Sequence, residues 1–212
     1  MRNKFDEQLN ELNSEMIRMC ELIEEAIGKA VSALVNYDVD SAKKIMENDV
    51  LIDRAQKKIE NICFNLLIQQ QPVARDLRNI TAAMKMVTDM ERIGDHAADI
   101  SEMTIYMSNG AEKPDLTDIR KMAKETVVML NWSVEAYVEK DIEKAKQVIK
   151  HDDIVDDLFD TVKKDIIKMI LSENKDGEQA TDLLMVAKYF ERIGDHATNI
   201  AEWVMFSMKS SE

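Results

Sequence analysis

Very little in this chain breaks a helix. Its 212 residues include only 5 glycines and 2 prolines, which in a helix interior cost about 1 and about 3 kcal/mol relative to alanine. That scarcity favours long helices with few interruptions. Cysteine is almost missing as well: Cys20 and Cys63 lie in apolar-periodic stretches with no metal-ligand spacing, which points to buried thiols in a reducing compartment. Lysine and arginine number 28 against 41 acids, a net charge of −13. This excludes a nucleic-acid partner, since nothing would neutralise phosphates, and disfavours adsorption to anionic lipid. No run of 18 apolar residues occurs and the start, Met1-Arg2-Asn3-Lys4-Phe5-Asp6, has no apolar signal region, so a soluble cytoplasmic protein is expected. Catalytic constellations are also missing: there is no Ser/His/Asp arrangement, no glycine-rich phosphate loop and no cysteine beside a base. The chain is not read as an enzyme.

What is present is helical periodicity over an apolar fraction of 45%, enough for a globular core. Phe5, Leu9, Leu12, Met16, Met19, Ile23, Ala26, Ala30, Ala33 and Tyr37 alternate in steps of four and three, the seam of helices packed at shallow angles. Six segments follow on this basis: 3–37, 41–70, 73–108, 116–139, 142–172 and 178–209, with Asp38-Val39-Asp40 supplying the first turn and N-cap. Asn109-Gly110 and Pro114-Asp115 mark the widest break. The expected architecture is all-α: two tandem three-helix bundles, residues 1–110 and 114–212, related by internal duplication.

The duplication is written most clearly in one motif. Glu91-Arg-Ile-Gly-Asp-His-Ala-Ala-Asp-Ile-Ser-Glu102 returns 100 residues later as Glu191-Arg-Ile-Gly-Asp-His-Ala-Thr-Asn-Ile-Ala-Glu202. Packing alone would let the polar positions drift, because cores chiefly require apolar volume. On a helix, Glu91, Asp95, Asp99 and Glu102 share one face, as do Glu191, Asp195, Asn199 and Glu202. A second aligned stretch carries Asp49 and Asp53 in one half and Asp152 and Asp156 in the other. If consecutive helices are antiparallel neighbours, each half gathers four carboxylates: Asp49, Asp53, Glu91 and Asp95, and Asp152, Asp156, Glu191 and Asp195. Such sets are hard oxygen ligands, suited to Mg, Mn, Ca or Fe. The competing reading is a solvated charged face, with Arg92 paired to Asp89 or Asp95 and Arg192 to Asp195.

Gly94 and Gly194, between the two acids, are read as places where another helix or a bound cluster approaches the backbone. His96 and His196 are read as hydrogen-bonding residues beside the acids and His151 as a surface residue. The methionines, Met84, Met86, Met103, Met107, Met185 and Met205 among them, are read as core filling. The Glu-x-x-His motif of diiron enzymes is absent, because Ile93, Val148 and Ile193 precede the three histidines by three residues.

The paired Glu-Arg-Ile-Gly-Asp-His-Ala segments in a duplicated helical chain resemble the PhoU family of phosphate-transport accessory and regulatory proteins. Arg2-Asn3-Lys4-Phe5-Asp6-Glu7-Gln8-Leu9 and Gln71-Pro72-Val-Ala-Arg75-Asp76-Leu77-Arg78 are similar to that family too. The resemblance implies paired three-helix bundles with a multinuclear metal site on each: iron first, with Mg, Mn or Zn as alternatives. Its signature, an acid, three intervening residues and Asp, falls on Glu91 with Asp95 and Glu191 with Asp195, joined by Asp49, Asp53, Asp152 and Asp156. It further implies negative regulation of phosphate-starvation signalling, coupling the ATPase subunit of a phosphate ABC transporter to a sensor histidine kinase. A homodimer is expected, reaching the membrane only through those partners, with Arg75 and Arg78 as candidates for one contact. A metal-storing or metal-dependent helical enzyme is the alternative. Two mismatches between the halves, Asp99 against Asn199 and Asp89 against Tyr189, imply sites of unequal charge.

Overall fold

A computed structural model describes residues 2–70, 72–108, 114–171 and 177–209. Every element within them is helical: α1 (Arg2–Asn36), α2 (Val39–Asn48), α3 (Val50–Gln70), α4 (Ala74–Met107), α5 (Thr117–Glu139), α6 (Ile142–Leu171) and α7 (Gly177–Met208). The boundaries follow the expected six segments, with one difference. The second segment is interrupted at Asp49, so α2 and α3 replace a single helix. Asp49 keeps α-region backbone angles, and its carbonyl accepts from both Ile52 and Asp53 backbone N–H groups, at 2.9 and 3.2 Å. The break is therefore a tightened turn rather than a bend of the chain, and periodicity alone does not reveal it. The expected break at Asn109-Gly110 lies outside the described residues, as do residues 173–176 between the last two segments.

The duplication reaches down to the turns. Tyr37 and Lys140 both take left-handed angles (φ 56° and 57°) at the ends of α1 and α5. In each copy an aspartate follows and caps the next helix: Asp38 Oδ1 accepts from Ser41 N at 3.0 Å, and Asp141 Oδ1 from Lys144 N at 3.0 Å. An αL residue with an Asp N-cap is thus the hinge between first and second helices in both halves.

Each half is a bundle, α1 with α2, α3 and α4, then α5 with α6 and α7. The halves are not separate bodies, however. α4 and α7, the two motif helices, pack on each other more extensively than any other pair, and α1 also meets α5. One continuous apolar cluster runs from Leu12 and Met16 through Met90 and Phe190 to Val204. The α1 seam faces it as expected: Leu12, Met16, Met19, Ile23, Ala30 and Ala33 are buried, with Phe5, Leu9, Ala26 and Tyr37 packed against them. Both thiols are buried, and burial pushes each up to about 12. Of the methionines read as core, Met86, Met103 and Met107 are buried, whereas Met185 is exposed. Among the described residues no helix is long and apolar enough to cross a membrane.

Candidate metal centre

The α4–α7 crossing is antiparallel, so the motif copies meet near their middles. Here the mismatches between the halves find a physical account. His196 Nδ1 lies 2.9 Å from Asp89 Oδ1 across the crossing, and Asn199 donates to the same oxygen at 3.3 Å. By duplication His96 should find an acid at position 189, but Tyr189 stands there and the imidazole stacks on it, ring centroids 5.5 Å apart. His96 instead lies 3.1 Å from Asp99 on its own helix. The two imidazoles are 5.6 Å apart at the centre. Burial lowers the His96 pKa, and the Asp99 hydrogen bond pulls it back. Both histidines are hydrogen-bonding residues, as expected, and they join the halves.

Outward of this crossing lie the acids. Asp49, at the α2–α3 break, faces α4: burial raises its carboxyl to about 6, helped by the charges of Asp95, Asp53 and Asp99. Glu91 is raised by burial and then by Asp95, with Asp53 and Asp49 adding to it. Asp95 is raised by burial, Asp99 and Asp53. The expected set Asp49, Asp53, Glu91 and Asp95 is therefore one electrostatic group, and Asp99 belongs to it. The second half repeats the arrangement between α6 and α7. Asp152 is raised to about 6 by burial, then Asp156 and Asp195, with Glu191 also contributing. Asp156 and Asp195 are raised by burial first and by Glu191 second.

The motif glycines make this approach possible. A Cβ on Gly94 would stand 2.8 and 3.0 Å from two Ile52 carbons, and one on Gly194 would stand 2.8 Å from Asp152 Oδ1. A Cβ at either position displaces the side chain opposite, Ile52 in the first half and the Asp152 carboxylate in the second. Gly94→Ala gains about 1 kcal/mol of helix propensity but forces buried, β-branched Ile52 to move, at about 1–3 kcal/mol for overpacking. The expected net result is a loss of about 1 kcal/mol in urea unfolding. Gly194→Ala collides with the Asp152 Oδ1 oxygen and otherwise makes ordinary contact with Val155 at 3.5 Å, so it should leave stability nearly unchanged while displacing Asp152.

Several readings of single residues change. Arg92 and Arg192 close no ion pair among the described residues; Asp89 is taken by His196 instead. Arg92 acts only through its field, favouring ionised Asp95 and Glu91. His151 is not a plain surface residue: its Nε2 is 2.8 Å from Glu125 Oε2, and it packs edge-on against Trp132 at 5.1 Å, pinning α6 to α5. Lys188 is marked in the sequence only by standing where the first half has Thr88, yet its ammonium is the ion partner of Glu191. It is also the cation that pulls down the Asp156 and Asp195 carboxyls.

The donors are all carboxylates, chemistry that fits a hard cation. Asp152 Oδ1 is buried, and the Thr198 side chain is the neighbouring hydrogen-bonding group that favours its ionised form. The acids are gathered but open: no three Asp, Glu, His or Cys side chains among the described residues close on one point as a finished ligand cage.

Comparison with known proteins places the chain as a whole. The PhoU domain model matches residues 16–104 and again 119–204. The "phosphate-specific transport system accessory protein PhoU homolog" of Clostridium acetobutylicum is 40% identical over 97% of this chain and 94% of its own length. The crystal structure of PhoU from Pseudomonas aeruginosa superposes with a TM-score of 0.89 at 29% identity, covering 96% of this chain and 98% of that one. The phosphate transport system regulatory protein PhoU from Streptococcus pneumoniae gives 0.88 at 27% identity over 96% of each chain. Two copies of the domain, matched in sequence and in fold along nearly its whole length, make this chain a member of the PhoU family.

Proposed function

We propose that this protein is a phosphate-transport accessory protein that restrains phosphate-starvation signalling when phosphate is plentiful. In this reading it couples the ATPase subunit of a phosphate ABC transporter to a sensor histidine kinase. The observation that carries it is the match of both halves to PhoU domains, together with relatives named for the phosphate-specific transport system. Control then passes through protein surfaces rather than chemistry on a substrate. The long helices offer such surfaces, and at the start of α4 Arg75 is exposed while Arg78 is half-buried, which makes Arg75 the better contact. A homodimer would double these surfaces in one assembly.

The metal belongs to the same reading. Asp49, Asp53, Glu91 and Asp95 would hold one divalent or ferric centre, and Asp152, Asp156, Glu191 and Asp195 the other. Bound metal would supply positive charge that offsets the repulsion among these acids and would tie α3 to α4 and α6 to α7.

Deleting the gene should switch on phosphate-starvation genes in phosphate-replete cells, read with a transcriptional reporter. Arg75→Glu should do so in part with an unchanged melting temperature. Reporter activity that stays low at high phosphate after deletion would remove the regulatory reading. Metal analysis of the protein purified without chelator tests the centres separately.

A further inference from the structure

The two acid patches differ in one respect that the motif does not show. In the second, a cation is paired directly to one of the acids. Lys188, one turn before Glu191 on α7, pairs its ammonium with Glu191 Oε2 and lies 5.4 Å above the Phe159 ring of α6, within cation–π range. Its charge is felt by Asp156 and Asp195 as well, so one ammonium serves three of the four acids. In the first half the duplicated positions are Thr88 and Gln56. Thr88 is exposed and its hydroxyl donates to the Met84 carbonyl at 3.3 Å, on its own helix. The cation felt there is Arg92, which acts on Glu91 and Asp95 through its field but closes no ion pair with them among the described residues. Asp99 meanwhile adds a further negative charge to the first patch, while its counterpart Asn199 is turned to Asp89 at the crossing.

We propose that Lys188 is a built-in counter-ion that competes with metal at the second centre, so that the first centre loads first and the second loads only as metal displaces the ammonium from Glu191. This rests on the metal reading above, and it makes the protein a two-stage responder to metal supply rather than one with two equal sites. A cation entering the second centre must break an ion pair that is partly shielded from water, whereas one entering the first meets carboxylates with no such pair to break among the described residues. Ion pairs of this kind are worth a few-fold to about tenfold in an equilibrium, and that is the separation expected.

The test uses the full chain, stripped of metal, and Mn²⁺ alone as probe, with free Mn²⁺ followed by its paramagnetic resonance signal. Asp95→Asn and Asp195→Asn each weaken one class of sites and so assign the classes to the halves. The wild-type protein should show a tight class in the first half and a class roughly fivefold to tenfold weaker in the second. Lys188→Thr should bring the second class up toward the first and enlarge the rise in melting temperature that Mn²⁺ produces. The reciprocal Thr88→Lys should weaken the first class. Two equal classes that ignore both substitutions would overturn the role of Lys188 while leaving the metal centres standing. No Mn²⁺ bound by either half would overturn both.

Discussion

Phe190→Ala should lower the free energy of unfolding by about 3–5 kcal/mol, the range for truncating a fully buried aromatic side chain. Phe190 is the largest of the fully enclosed side chains, and it lies on α7 one position before Glu191. α7 packs on α4, α5 and α6, so the void would open where three helices converge and collapse of the site would be incomplete. Total stabilities are typically about 5–15 kcal/mol, so the variant should be close to unfolding at growth temperature. Phe190→Leu keeps most of the volume and should cost less than half as much. Because one core runs through both halves, urea unfolding of Phe190→Ala should remain a single transition. Two transitions, with the first half surviving the second, would show that the bundles unfold independently and that the α4–α7 packing contributes little.

That shared core is also where the sequence stops informing. Spacing alone places the helix ends to within about two residues, because caps and apolar steps are local properties. It identifies the motif acids and, through the aligned second stretch, the partner acids, because spacing of four residues fixes a common helix face. It does not say which helix lies against that face from the other half. The α4–α7 crossing joins residues more than 100 positions apart, such as Asp89 with His196 and Asn199, and nothing in a periodic pattern encodes that pairing. The mismatches Asp89/Tyr189 and Asp99/Asn199 are visible as departures from the repeat and, on spacing alone, mean only a difference in site charge. The structure gives them a second meaning, since three of the four side chains contact a histidine at the crossing. Lys188 is legible in principle as Lys against Thr at duplicated positions. Its reach to Glu191 and Phe159 depends on a rotamer and on α6, which the sequence does not display. His151 reads as a surface residue because neither Trp132 nor Glu125 lies near it in sequence.

The metal-free protein should be more stable near pH 5 than near pH 7.5, the reverse of what paired carboxylates give. An aspartate ordinarily titrates at 3.8, and Asp49 and Asp152 titrate at about 6 in the fold. The folded state thus binds the proton more tightly than the unfolded chain. Below the unfolded value both states are protonated and neither carboxyl costs anything. As pH rises toward 6 the unfolded chain ionises freely while the folded one resists, so stability falls, and above about 6 the penalty is complete. A tenfold difference in proton affinity between the two states is worth about 1.4 kcal/mol. Both groups are only partly enclosed, so solvent screening brings the penalty down to about 1 kcal/mol each. Together these two groups give roughly 2 kcal/mol between the two pH values, and Asp95, Asp156, Asp195 and Glu91 are shifted in the same direction. Urea unfolding in the presence of chelator measures it. Asp49→Asn with Asp152→Asn should flatten the profile and raise stability at neutral pH, which assigns the slope to the patches. Saturating Mn²⁺ should invert the slope, because the metal binds the ionised carboxylates and must displace protons below pH 6. If the chelated protein instead loses stability on acidification toward pH 5, the acids are not gathered in solution as they are in the fold, and the case for both centres goes with them.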